Sequence, residues 1–261
     1  MGLQPRNVLQ KGNTMTIHMS PTRALKFNKN PLRALEDYQG INKWWEGNDD
    51  ALHYGNIVHN LAEGRRMLKD FTDDDKKAIV SSTGKTKGQL KSTYKDAITV
   101  GNKLRNYVLK VSQGGLAQFE VSIDELVNLE GIEFNATGRA DMITADAVYD
   151  FKTVSPQDFD GFLNYKSFRD GHEKDYLKQI SYYASMFDKK EAHILYIKKD
   201  KNKPFIYDYQ LSSVEINTYA SEMIEEIEQA VKMIDNSKDI LAVNDGSQWA
   251  YKHFGGVING N

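Results

Sequence analysis

The alternation of hydrophobic and polar positions changes character near residue 116. Upstream, apolar residues recur at helical spacing. In "ALHYGNIVHNLAEGRRMLKD", Ile57, Val58, Leu61 and Leu68 fall on one face. Ser20 caps a predicted helix reaching Tyr38, and Gln89 to Val111 predicts another. Downstream, "LAQFEVSI" and "GIEFNATGRADMIT" alternate with the period of strands, and "AVYDFKTV" closes a hairpin. The helical period returns in "YLKQISYYASMF", with Leu177, Ile180, Ala184 and Phe187 in one stripe. Two more strands follow, "AHILYIKK" and "KPFIYDYQLS", then a long amphipathic helix from Val214 to Ile234 carrying Ile216, Met223, Ile227 and Ala230. That helix suits an interface or the core equally. The closing "GSQWAYKHFGGVINGN" is glycine-rich and predicts no regular structure.

This order predicts a mixed α/β fold, with a helical N-terminal half packed on one sheet. No repeat or low-complexity linker divides the chain. The expectation is a loose tail over residues 1–14, with Met15 as a candidate start, and one domain over 15–261. Within that domain lie a helical part (15–115), a core (116–235) and a C-terminal tail (236–261).

Composition narrows the chemistry. A chain of 261 residues, 40% hydrophobic and 27% charged, has room for a real core and reads as soluble. It has no apolar run near the roughly 20 residues of a membrane span, and its N-terminus lacks the apolar core of a signal peptide. No membrane partner and a cytoplasmic setting are expected. The absence of cysteine excludes disulfides, thiolate zinc sites, cysteine nucleophiles and an iron–sulfur cluster. Any metal must be held by oxygen and imidazole, which favours Mg²⁺ or Mn²⁺.

The net charge of −2 does not make a general polycation, but basic residues cluster locally. Lys85, Lys87, Lys91, Lys95, Lys103, Arg105 and Lys110 face only Asp96 within their stretch. A solvated helix face explains this, and so does a surface that tracks phosphates, with Tyr94 and Tyr107 interleaved. Gly84-Lys85-Thr86 ends like a phosphate-binding loop, but Ile79 stands where that motif needs its first glycine.

The hairpin carries the sharper signal. With its loop at Thr144 to Ala147, Asp141 stands opposite Asp150, and Lys152 shares their side of the sheet. Opposed carboxylates cost roughly 0.2–1 kcal/mol even when screened. A divalent cation removes that cost, with the Phe151 carbonyl in reach, Glu120 as a third carboxylate and Lys152 beside the ion. An exposed hairpin with an ordinary Asp–Lys pair is the plainer alternative.

"GRAD" followed by "YDFKT" resembles the core of the PD-(D/E)xK nucleases, and three further segments resemble their RecB-like and exonuclease VIII-like branch. "YGNIVH" is similar to a Gly-x-x-x-His element, "QFEVSI" to a strand with an acidic residue, and "QISYY" to a Gln-x-x-x-Tyr pattern. The opening "MSPTRALKF" with "NPLRALEDY" resembles the start of phage members. Ala140 replaces the proline of the family name, as is usual in that branch.

The resemblance implies a restriction-endonuclease-like core sheet flanked by helices. It implies His59, Asp141, Asp150 and the Phe151 carbonyl as ligands of one or two Mg²⁺ ions, with Mn²⁺ as a substitute. Asp141, Asp150, Lys152 and Glu120 become the catalytic set. Gln179, Tyr183 and Tyr176, neighbours on one helix face, become DNA contacts together with Lys91 and Lys95. On the residues alone, His59 also fits a satisfied core histidine, and the Gln179/Tyr183 stripe also fits a helix boundary. Trp44 and Trp45 fit stacking on a DNA end or core packing.

The implied activity is digestion of linear double-stranded DNA from its ends, 5′ to 3′, leaving 5′-phosphates. The implied setting is phage-type recombination in a host cytoplasm, beside a single-strand annealing protein and as a homo-oligomer. An endonuclease or structure-specific nuclease on the same core is one alternative. A catalytically inactive module that binds DNA ends or a protein is another, against which the intact Asp141/Asp150/Lys152 set argues.

Overall fold

The computed structural model of the protein describes residues 16–44, 49–66, 69–112, 116–163, 172–200, 202–237 and 240–254. The tail before residue 15, Met15, Trp45 and Leu68, about which expectations were stated, lie outside these residues. In chain order the elements are β1 (Ile17–Met19), α1 (Pro21–Lys29), α2 (Pro31–Tyr38), α3 (Asp49–Ala62), α4 (Asp73–Ile79) and α5 (Lys95–Val111). There follow β2 (Gln118–Leu129), β3 (Ile132–Ile143), β4 (Ala147–Val154), α6 (Pro156–Leu163) and α7 (His172–Met186). The last are β5 (Glu191–Lys198), β6 (Ile206–Gln210), α8 (Ser213–Asp235) and α9 (Gln248–His253). The fold is mixed α/β: the strands join in a six-stranded sheet of order β1-β3-β4-β5-β6, with β2 paired to β3.

The chain divides into two compact units, one of Met1–Trp45, Ser122–Gly138 and Ser221–Asn261, the other of Glu46–Val121 and Arg139–Ala220. In the first, β1 runs parallel to β3, with Ile17 paired to Phe134 and Met19 to Ala136. Ser20 caps α1 as expected, its hydroxyl accepting from Arg23 N–H at 3.4 Å. The expected single helix to Tyr38 breaks at Asn30-Pro31, because proline disfavours helical backbone in the residue before it. Asn30 then serves twice: its Oδ1 accepts from Arg33 N–H at 3.4 Å, and its amide donates to the Val243 carbonyl at 2.8 Å. The N-terminal part is mainly helical as expected, with the short β1 before α1. One more expectation needs correction here: the glycine-rich tail contains α9, capped by Ser247 and tied by Trp249 Nε1 to Glu36 Oε2 at 2.8 Å. The flanking glycines hid a short helix that its cap and this distant bond stabilise.

The second unit holds the hairpin. Tyr54, Ile57, Val58 and Leu61 of α3 and Ala97, Val100, Leu104 and Val108 of α5 form one core with Met142, Tyr149, Phe151, Leu195 and Ile197 of the sheet. Gly101 lets α3 and α5 approach closely: a Cβ there would lie 2.8 Å from Leu61 Cβ. The alternate β4 residues Asp150 and Lys152 point to the opposite face, where α7 packs on β4 and β5. On α7, Leu177, Ile180 and Ala184 are buried as the periodicity predicts.

Candidate active site

Strands β3 and β4 pair in the register that the short turn predicts, Met142 opposite Tyr149 and Ile143 opposite Val148. One step further along lie Asp141 and Asp150, and there the ladder gives way. Asp141 Oδ2 instead accepts the Phe151 N–H at 2.6 Å, so a side chain supplies the acceptor that a paired strand would have offered. The result is a fork. From α3, His59 reaches into it with Nε2 3.1 Å from the Phe151 carbonyl and Nδ1 3.7 Å from Asp141 Oδ1. A carbonyl only accepts, so Nε2 donates its proton to it, which leaves Nδ1 facing the Asp141 carboxyl group.

Charge is concentrated on the other branch. Asp150 is 5% exposed, and Lys152 Nζ lies 3.0 Å from its Oδ1 and 2.9 Å from its Oδ2. Only the Oδ1 contact has hydrogen-bond geometry, which leaves the buried Oδ2 without a hydrogen-bonding partner. Tyr176 covers the ammonium, with its ring centre 4.6 Å from Nζ. Burial pulls the Lys152 pKa down, but the charges of Asp150 and Asp141 and the bond to Asp150 overcome it, so the amine stays a cation. Burial, reinforced by the Asp150 charge, raises the Asp141 carboxyl despite the opposing His59, Lys152 and Phe151 N–H.

Glu120 completes a cluster in which ligand atoms of His59, Glu120 and Asp141 all lie within 4.8 Å of one another. This donor set fits a hard divalent cation. Oxygen and imidazole ligands about 2.0–2.1 Å from one ion stand about 3–4 Å apart, and the 3.7 Å between His59 Nδ1 and Asp141 Oδ1 falls in that range. Two neighbouring groups went unread in the sequence. Glu63 follows His59 by one helical turn, and its carboxyl is raised by burial, with Arg65 opposing and the Glu120 charge assisting. Arg139 places Nε 2.7 Å from Glu120 Oε2. The i+4 spacing from His59 was a usable signal for Glu63; Arg139 gave none inside "GRAD".

A model of a family described as a PDDEXK-like domain of unknown function matches residues 20–252. The chain belongs to this PDDEXK-like family. Among solved structures, it is similar to one from Eubacterium rectale named "Putative exonuclease", at 18% identity and a TM-score of 0.63, covering 90% of this chain and 87% of the other. A lower likeness, TM-score 0.32 at 12% identity over 69% of this chain and 91% of the other, is to an alkaline exonuclease from Laribacter hongkongensis. No curated protein matches in sequence. The first comparison establishes the fold.

The other expected positions of this PDDEXK-like domain are distributed unevenly. Gln179 Nε2 donates to Tyr183 OH at 3.2 Å, and the same phenol oxygen accepts Arg139 N–H at 3.5 Å. Tyr183 is buried at 4% exposure, and burial raises its phenol above the usual tyrosine range. Lys91 donates to the Ala78 carbonyl, while Lys95 is exposed at the start of α5. Arg105, counted in the basic stretch, donates to the Ala62 carbonyl at 3.1 Å and so caps the end of α3. Trp44 is 4% exposed, with the Arg33 guanidinium 4.3 Å over its ring.

Proposed function

We propose that this PDDEXK-like domain is a metal-dependent exodeoxyribonuclease that hydrolyses phosphodiester bonds of linear duplex DNA, working 5′ to 3′. The fork carries this reading: His59, Asp141 and Glu120 converge while the half-buried Lys152 pairs with the buried Asp150 on the same hairpin. The name of the Eubacterium rectale protein supports the choice of an exonuclease. Mg²⁺ is the expected ion and Mn²⁺ its substitute, held by His59, Asp141, the Phe151 carbonyl and Asp150, with Glu120 in addition. A cation held by these residues would supply a Lewis acid for a phosphoryl oxygen and would lower the pKa of water at the site.

The chain's own groups do the rest. Asp141 fixes the Phe151 peptide through Oδ2 and leaves Oδ1 facing His59. Lys152, held protonated by two carboxylates, supplies a fixed positive charge for the phosphate on which negative charge develops. Tyr176 lies over Lys152, Gln179 follows it on α7 as a further DNA contact, and Lys91 and Lys95 engage the DNA backbone. A role in phage-type recombination, an annealing-protein partner, a homo-oligomer and a cytoplasmic site rest on the sequence resemblance alone.

The test compares linear with covalently closed duplex DNA, in Mg²⁺ or EDTA, for wild type and Asp150→Ala. Mg²⁺-dependent loss of linear DNA only, abolished in the variant, is expected. Cutting of the closed circle would transfer the assignment to an endonuclease. Failure to cut either substrate, with Mn²⁺ also tried, would reject nuclease activity.

A further inference from the structure

We propose that Arg139 is a positioning residue that holds Glu120 back from the cation and releases it when a DNA phosphate takes the guanidinium. This inference rests on the nuclease reading and deepens it.

Three observations combine. Glu120 sits within β2 at φ 53°, a left-handed conformation that residues with a side chain rarely take and keep only where their surroundings impose it. The contact that accompanies it is the Arg139 ion pair, Nε to Oε2 at 2.7 Å. That pair engages one oxygen of a carboxylate already within 4.8 Å of the His59 and Asp141 ligand atoms. Glu120 is thus beside the cation position and bound to something else.

Arg139 is built to let go. Its side chain is 66% exposed against 26% for Glu120. Its backbone is anchored, since its N–H donates to Tyr183 OH at 3.5 Å, and that phenol takes the Gln179 amide at 3.2 Å. The guanidinium can therefore swing without moving the strand that carries Asp141. A phosphodiester offers two anionic oxygens to the planar fork of an arginine, a better match than one carboxylate oxygen. Once the arginine turns to DNA, Glu120 adds a charged ligand to the site, and cation affinity rises with ligand charge. Linkage makes the effect mutual: DNA tightens the cation and the cation tightens DNA, both through Arg139.

The experiment is Mn²⁺ titration calorimetry on the full chain, for wild type, Arg139→Met, Glu120→Gln and the double variant. Arg139→Met is expected to bind Mn²⁺ roughly two- to fivefold tighter than wild type, the scale of an exposed ion pair, and Arg139→Lys falls between them. The gain is expected to vanish in the Glu120→Gln background. A gain that persists there reflects only the loss of a nearby positive charge and overturns the proposal. Weaker binding by Arg139→Met overturns it as well, since the arginine would then be presenting Glu120 to the ion.

A hydrolysis-resistant phosphorothioate duplex is expected to raise Mn²⁺ affinity more in wild type than in Arg139→Met; equal increments refute the DNA-linked half. If wild type binds no Mn²⁺, the nuclease reading falls together with this one. If Asp141→Asn abolishes Mn²⁺ binding while Arg139→Met matches wild type, only the role of Arg139 falls.

Discussion

Gly101→Ala sets two effects of opposite sign against each other at the α3–α5 crossing. Alanine favours a helix over glycine by about 1 kcal/mol, so propensity alone predicts stabilisation. The packing predicts the reverse. The new methyl would lie 2.7 Å from Leu61 Cδ1, 2.8 Å from Leu61 Cβ and 3.3 Å from Leu61 Cγ. Carbon atoms rest about 3.5–4.0 Å apart, so at least ~0.7 Å must be recovered. A new rotamer moves Cδ1 but not Cβ, which is fixed to the backbone; the helices themselves must part. Overpacking costs roughly 1–3 kcal/mol, and because backbone has to move here the cost falls in the upper part of that range, about 2–3 kcal/mol, leaving a net loss of about 1–2 kcal/mol after the propensity gain. At about 2–4 °C per kcal/mol for a chain of this size, Tm falls by roughly 2–8 °C in a circular-dichroism melt. Leu61→Ala keeps Cβ, so the same substitution stays destabilising in that background. A rise in Tm would show that the helices are not in hard contact and would refute the reasoning.

Three further outcomes follow from the second unit. Lys152→Met strands the buried Asp150 carboxylate and is expected to cost about 3–5 kcal/mol in urea unfolding, most of it recovered in the Asp150→Asn/Lys152→Met double variant. Gly64→Ala places a Cβ 2.3 Å from Arg105 Nη1 at φ +92°; about 1–3 kcal/mol is lost by thermal melt, and Arg105→Ala relieves only the clash. His193, on β5, loses basicity to burial, but its bond to Asp208 at 2.8 Å and the charges of Asp208 and Glu191 lift its pKa above 6.5. Its contribution is therefore complete below 6.5 and lost as pH rises through the raised value. The Asp208 carboxyl is opposed by burial yet lowered below 3.8 by its bonds to His193 and Tyr107, so its share is lost only in acid. Wild type is expected to lose Tm from pH 6 to pH 9 by an increment that His193→Gln lacks; parallel profiles would contradict it.

Much of this was written locally in the chain. "AVYDFKTV" matches β4 residue for residue, because a turn precedes it and its run of strand-forming residues is uninterrupted by glycine or proline. The hairpin register followed from a loop too short to slip. What stayed hidden depends on partners distant in sequence. Asn30 caps α2 while holding Val243, and Trp249 of α9 reaches Glu36; neither bond has a local signature. The three residues of β1 are too few to show a period. The site divides the same way. Asp141, Asp150 and Lys152 were legible as an anomaly of charge inside strands. That Asp141 would bind a backbone amide across the hairpin, or that Arg139 would claim Glu120, depends on the folded backbone.

The fork also makes one amide into a gauge. Phe151 N–H is held by a carboxylate, not by a strand, so its exchange with deuterated solvent reports on the Asp141 side chain. Its neighbour Tyr149 belongs to the ladder with Met142 and exchanges only as the strands separate. A condition that speeds exchange at Phe151 while sparing Tyr149 has moved one side chain; a condition that speeds both has opened the sheet.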